Sequence, residues 1–299
     1  MTKPTPATTS ATGDLLAPGG AVAVMAPGGS RTSAVKAPAG VRVRVILPVY
    51  NESRLIGHTL DAVLAFVDQN PGFGFLFVDD GSSDDTAKII RERLAGRKDD
   101  RVALLSYAPN RGKGRAVHAG VERCLEVFSI AGLDEKGPGA GSDGGLVCFT
   151  DGDLAYPLDH LTELAAALEK HDVVIGSRSL VHKDEKNTSI PRRIMGGTFN
   201  ILARALIGVP HKDTQAGLKG FRARAAREIF RRQSLDGFAF DVEIVFLARR
   251  LGFSVGEIPA RVSEEHSYKV SKVDLLRDPL RMFRALLDVR TAAARGRYD

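Results

Sequence analysis

The sequence is poor in cysteine, lacks a long apolar run and carries no net charge over most of its length. Only Cys124 and Cys148 occur in 299 residues, both in apolar surroundings. That excludes a disulfide framework and offers no zinc spacing, which points to a reducing, cytosolic setting. No apolar stretch approaches the ~18 residues needed to cross a bilayer. The N-terminus does not read as a secretory leader, because Pro18, Gly19, Gly20, Pro27, Gly28 and Gly29 interrupt its apolar stretches. The formal charge of +6 gathers at the two ends, with +2 in residues 1–40, +4 in 266–299 and a neutral body between. A neutral body argues against a nucleic-acid binder. A basic C-terminal end suits contact with an anionic membrane surface.

What is present is an ordinary hydrophobic share of 43%, enough for a sizeable core. Residues 1–40 are rich in Ala, Pro, Gly, Ser and Thr and are expected to be disordered. From Val41 onward, apolar runs alternate with amphipathic stretches. Strands are predicted at 43–49, 74–79, 102–106, 146–150 and 173–176. Helices are predicted at 54–67, 84–94 (with Ser82 or Ser83 as its cap), 113–128 and 158–170. This alternation predicts an α/β fold, Rossmann-like, with a mostly parallel sheet flanked by helices. Residues 132–145 read as a Gly-rich surface insertion. Later come predicted helices at 192–207, 223–231 and 241–251 and short strands at 218–221 and 254–258. A single domain is expected over 41–265, followed by a basic segment 266–299 holding an amphipathic helix at 274–290. Its apolar face suits either a membrane surface or packing on the domain.

Asp151-Gly152-Asp153 directly follows the apolar run Leu146-Val147-Cys148-Phe149. Two carboxylates at the C-terminal end of a buried strand lie where open α/β sheets hold ligands. On extended backbone, positions i and i+2 point the same way. Hard divalent cations shared with substrate phosphates suit such oxygens. Asp-Gly-Asp is also an ordinary turn, and the tripeptide alone does not decide between the two. Gly139-x-Gly141-x-x-Gly144 copies a dinucleotide fingerprint in letters only, since it precedes a strand. Arg111-Gly112-Lys113-Gly114 is no P-loop, yet it precedes a helix, where backbone N–H groups and cations favour phosphate. Pro48-Val49-Tyr50-Asn51-Glu52 ends the first predicted strand and Val78-Asp79-Asp80-Gly81-Ser82 the second. In a parallel sheet these strand ends converge on one edge with 151–153, which points to a nucleotide site.

Taken together, these motifs resemble those of family 2 glycosyltransferases of the GT-A fold. Gly176-Ser177-Arg178, Asp213-Thr214-Gln215-Ala216-Gly217-Leu218-Lys219-Gly220-Phe221 and Phe238-Ala239-Phe240-Asp241-Val242-Glu243 are similar to the polyprenyl-phosphate sugar transferases, especially the dolichyl-phosphate glucosyltransferase type. The resemblance spans about residues 42–290. It implies that Pro48, Tyr50, Glu52 and Asp80 hold a nucleoside and that Lys113 lies near a diphosphate. Asp151 and Asp153 would bind Mg²⁺ or Mn²⁺, and Asp153 would serve catalysis with Asp241, Gln215 and Arg178. Arg178 and Arg192 would hold an acceptor phosphate, while Gln215, Asp241 and Glu243 line the sugar and acceptor side. Asp241 reads equally as a helix N-cap. The implied partners are a nucleotide-diphosphate sugar, UDP-glucose first and GDP-mannose second, and a polyprenyl phosphate at the cytoplasmic face of a membrane. The rivals are a family 2 enzyme with a soluble acceptor, a nucleotidyltransferase and a non-catalytic nucleotide-binding module. Ala155 stands where the mannosyl type usually has Gln.

Overall fold

A computed structural model describes residues 22–24, 40–131, 133, 144–181, 211, 213–237, 239–263 and 278–298. Arg192, Phe238, most of the expected Gly-rich insertion and the expected helix at 192–207 lie outside them. The strands are β1 (Val22–Val24), β2 (Val43–Val49), β3 (Phe73–Asp80), β4 (Val102–Tyr107), β5 (Leu146–Phe149), β6 (Val173–Ser177), β7 (Lys219–Arg222) and β8 (Val255–Pro259). The helices are α1 (Ile56–Gln69), α2 (Thr86–Leu94), α3 (Lys113–Ala131), α4 (His160–Ala167), α5 (Ala223–Arg232), α6 (Phe240–Arg250) and α7 (Asp278–Ala294).

One sheet has the order β1-β4-β3-β2-β5-β7-β6-β8. Only β7 runs antiparallel to its neighbours β5 and β6. Within the segment expected to lack order, Val22–Val24 forms an edge strand parallel to β4. The order turns around at β2, which lies between β3 and β5. Such a reversal opens a crevice at the C-terminal strand ends.

Alternation along each strand builds two cores. Val43, Val45, Leu47 and Val49 of β2, with Leu146 and Cys148 of β5, face α1, α2 and α4. Ile46, Val147 and Phe149 face α3, α5 and α6 on the other side. Helix α1 buries Ile56, Leu60, Val63, Leu64 and Val67, a stripe of helical spacing. Helix α2 starts differently from expectation. Neither Ser82 nor Ser83 caps it; Asp84 Oδ1 accepts the Thr86 N–H at 3.0 Å while Oδ2 accepts that of Ser53 at 3.1 Å.

Helix α7 packs on the domain. Leu286 and Val289 are buried in the core shared with α6. Beyond the helix, the Tyr298 hydroxyl donates to Glu243 at 2.7 Å, and its carbonyl accepts from Arg232 Nε at 2.9 Å. Among the described residues no helix is long and apolar enough to cross a membrane.

Candidate active site

The C-terminal ends of β4, β3, β2, β5 and β6 meet the start of β7 and the first turns of α3 and α6 along one edge. Just after β2, Tyr50 is 41% exposed, while Pro48 is half-buried. Asn51 takes φ 51°, a left-handed conformation that Asn tolerates better than most residues. Its N–H donates to Ser82 Oγ at 2.9 Å, and its Oδ1 accepts the Ser83 N–H at 2.8 Å. The Glu52 N–H donates to Thr86 Oγ1 at 2.8 Å. Asn51 and Glu52 are thus fixed on the segment that leads into α2.

Asp79 and Asp80 end β3, both buried. Asp79 accepts from Ser106 Oγ at 2.7 Å and from the Ser82 N–H at 3.2 Å. Asp80 accepts from Asn110 Nδ2 and the Gly112 N–H, each at 2.7 Å, and from the Arg111 N–H at 2.8 Å. Asp80 therefore braces the 110–112 loop, beside any part it takes in holding a nucleoside. The expected phosphate cradle of backbone N–H groups is overturned at 111, 112, 114 and 115. The Gly114 and Arg115 N–H groups donate to the Asp236 carbonyl at 2.8 and 3.3 Å. A Cβ on Gly112 or Gly114 would fall 2.6 Å from the Asp236 oxygen or 2.5 Å from that of Leu235. The amides of 111, 112, 114 and 115 are thus engaged inside the protein.

That side chain reaches the centre of the edge. Lys113 Nζ lies 2.7 Å from Asp151 Oδ1 and 4.0 Å from Asp241 Oδ2. The other Asp241 oxygen, Oδ1, accepts from Lys219 Nζ at 2.5 Å, and the same ammonium donates to the Ala216 carbonyl. Asp151, Lys113, Asp241 and Lys219 thus form a row of alternating charge. Lys219 is wholly buried in β7. Burial pulls its pKa down against the attraction of Asp241. Burial likewise pushes Asp241 above the ordinary carboxylate value, with both lysines opposing. For Lys113 burial is outweighed by Asp151 and Asp241, and its pKa rises. Burial is outweighed at Asp151 too, where Lys113 leads in holding the carboxyl below its ordinary value.

Asp151-Gly152-Asp153 forms a turn beyond β5, so the expected strand-like alternation of its carboxylates does not hold. Gly152 is required for packing: a Cβ there would fall 2.6 Å from the Pro48 carbonyl. Leu154 takes φ 54° to close the turn, and Asp153 Oδ1 accepts the Ala155 N–H at 3.1 Å. Across the crevice, a Cβ on Gly217 would lie 2.2 Å from Asp151 Oδ2. Only glycine leaves room for that carboxylate.

Arg178 follows β6 and clamps Asp213, with Nε and NH2 on separate carboxylate oxygens at 2.7 Å. Its side chain stays 46% exposed while it makes this clamp. Gln215 lies in the turn between Asp213 and β7, half-buried. Asp241 is a first-turn residue of α6 with its carboxylate on Lys219, so it is not the N-cap; Ala239 holds that position. Glu243 does not line the sugar side. It accepts from the Ser234 and Leu235 N–H groups, from Ser234 Oγ and from the Tyr298 hydroxyl. Lys219 and Asp213 were quoted as motif letters without a role. A lysine inside the apolar strand Leu218-Lys219-Gly220-Phe221 was the available signal for the first. Asp213 gave none, since its partner lies 35 residues away.

Residues 44–135 match the Glycosyl transferase family 2 domain. A dolichyl-phosphate beta-glucosyltransferase of Trichomonas vaginalis is 32% identical over 244 residues, covering 77% of this chain and 66% of that protein. The enzyme of the same name from Dictyostelium discoideum is 30% identical over 269 residues, covering 83% of this chain and 76% of its own length. Among solved structures, glucosyl-3-phosphoglycerate synthase from Mycobacterium tuberculosis, in complex with UDP, superposes with a TM-score of 0.54 at 20% identity, over 86% of this chain and 81% of that one. Mannosyl-3-phosphoglycerate synthase from Rubrobacter xylanophilus gives 0.53 at 18%, over 86% and 76%. At such identities the likeness concerns the fold, which is GT-A. The sequence identity extends well past the matched domain into β7, α5 and α6, and on that ground the chain belongs to the family 2 glycosyltransferases.

Proposed function

We propose that this glycosyltransferase moves glucose, with inversion, from UDP-glucose to a polyprenyl phosphate at the cytoplasmic face of a membrane. The observation that carries the reading is the charged row at the β2/β5 reversal, centred on Asp151 and Lys113. The names of the curated relatives support glucose and a dolichyl-type acceptor. GDP-mannose is the second donor.

Asp151 and Asp153 fit a Mg²⁺ or Mn²⁺ ion. An ammonium already sits on Asp151 at 2.7 Å as a stand-in cation. The donor set is hard oxygen, suited to an ion completed by substrate phosphates. When bound, such an ion stabilises the charge developing on the leaving diphosphate. Tyr50, Pro48 and Glu52 flank the nucleoside, and Lys113 meets the diphosphate. Arg178, together with Arg192, holds the acceptor phosphate by paired N–H donors. That phosphate is already ionised at neutral pH, so its oxygen attacks the anomeric carbon without a strong general base. Asp241, held by Lys219, orients the sugar and Lys113, with Gln215 beside it.

The test is transfer from radiolabelled UDP-glucose and GDP-mannose to polyprenyl phosphate with Mg²⁺ or Mn²⁺, beside an Asp153→Ala control. Label entering the organic phase from UDP-glucose, and lost in the control, is the expected result. Label appearing only in water-soluble product would replace the lipid acceptor with a soluble one.

A further inference from the structure

The two lysines of the charged row differ in freedom. Lys219 has no exposure, holds two acceptors and lies 5.5 Å from the Phe149 ring centre. Lys113, the first residue of α3, retains 17% exposure and stands between two carboxylates. It is in contact with Asp151 at 2.7 Å and 4.0 Å from Asp241 Oδ2. Because Lys219 occupies Asp241 through Oδ1, Oδ2 faces Lys113 as a second berth. The second carboxylate oxygen lies little more than an ångström beyond contact distance from the ammonium.

We infer that Lys113 is an exchangeable counter-ion which occupies Asp151 until a nucleoside diphosphate arrives, and so makes the divalent cation and the nucleotide bind together. This rests on the assignment of the metal to Asp151 and Asp153. Two cations compete for one carboxylate, so an ammonium on Asp151 opposes a divalent ion there. A diphosphate supplies new negative charge on the same side, draws the ammonium away and leaves Asp151 to the ion. Asp241 holds the displaced lysine, and Lys219 keeps Asp241 in place to do so. Coupling of this kind is reciprocal: the ion strengthens nucleotide binding by the factor by which the nucleotide strengthens that of the ion.

The experiment is Mn²⁺ binding, read from the EPR signal of the free ion, with and without UDP and without any acceptor. The parent protein is expected to bind Mn²⁺ weakly alone and at least about tenfold more tightly with UDP. Lys113→Met is expected to bind Mn²⁺ about tenfold more tightly than the parent without UDP, and to gain little when UDP is added. Asp241→Asn weakens the second berth and is expected to act in the opposite direction, with weaker Mn²⁺ binding and a smaller UDP effect. A purely structural ion pair would move both variants the same way. Equal or weaker Mn²⁺ binding by folded Lys113→Met without UDP overturns the inference while leaving the metal site standing. Should Lys113→Met fail to fold, Lys113→Gln carries the same expectation. Absence of Mn²⁺ uptake by the parent even with UDP overturns the metal assignment, and the inference with it.

Discussion

The two halves of the sheet edge hold their carboxylates in opposite ways. At the ends of β3 and β4, Asp79 and Asp80 are satisfied by backbone N–H groups, a serine hydroxyl and an asparagine amide. Beyond β5 and in the first turn of α6, Asp151 and Asp241 are satisfied by ammonium groups. Backbone donors belong to a rigid frame and cannot leave, so the first pair braces the fold. An ammonium on a four-carbon stem can be exchanged for another cation, so Asp151 can change partners without disturbing the fold. The same residue type is thus a brace on one side and a working group on the other, and the donors decide which.

Replacing a carboxylate in each half tests this contrast most strongly. Asp151→Asn is expected to lower transfer about 10³-fold, several kcal/mol on the barrier, while the thermal midpoint stays near the parent's. A large loss of stability with activity retained per folded molecule would erase the distinction.

Lys219→Met leaves Asp241 buried without its fixed partner and is expected to lower stability by about 3 kcal/mol in urea unfolding. Adding Asp241→Leu should restore most of it. The pH dependence sharpens the point. Burial raises Asp241 above its ordinary 3.8, so above that pH the folded state holds a proton that the unfolded chain releases. Stability therefore declines as pH climbs from 3.8 through the folded value, and Lys219→Met should steepen that decline.

On the bracing side, Asp80→Ala strips the acceptor from the Arg111 and Gly112 N–H groups and from Asn110. About 2 kcal/mol of stability should go, visible as an earlier thermal transition. UDP affinity corrected for the folded fraction should change less than in Asp151→Asn.

The smallest effect belongs to Asp84. Slight burial opposes its charge, but hydrogen bonds from Thr86 and Ser53 outweigh that and lower its pKa from 3.8 to about 2. Its contribution is therefore present above pH 3.8 and lost as pH falls toward about 2. Acid titration of unfolding in Asp84→Asn should lack that slope, and at pH 7 its stability should fall slightly below the parent's, by the small contribution that this exposed carboxylate makes.

Strands β2 to β6 were legible because each is a short apolar run between turn residues, and their parallel order brought the strand-end motifs together. Val22–Val24 was hidden in a low-complexity stretch, because its pairing is supplied by the edge of β4 and not by its own pattern. The antiparallel direction of β7 was equally hidden, since four residues carry no sign of direction. Within the site, residue types were readable and their partners were not. Asp80 looks like Asp151 in a sequence. Only the fold shows amides of the 110–112 loop around one and Lys113 beside the other. The Arg178–Asp213 clamp joins segments with no shared local pattern. Asp-Gly-Asp allowed a turn or a ligand site, and the left-handed backbone of Leu154 that closes the turn has no sign in its side chain.

Tyr298 turns the far end of the described chain into an optical gauge. The sequence has no tryptophan and only five tyrosines, so tyrosine emission is not masked. Tyr50 is 41% exposed, whereas Tyr298 is 1% exposed beneath α6, with its hydroxyl on Glu243. A collisional quencher such as iodide reaches the first and not the second. Nucleotide binding should therefore shield the quenchable part of the emission. Loosening of α7 from the domain should add to it, giving two events separate signatures in one unlabelled sample.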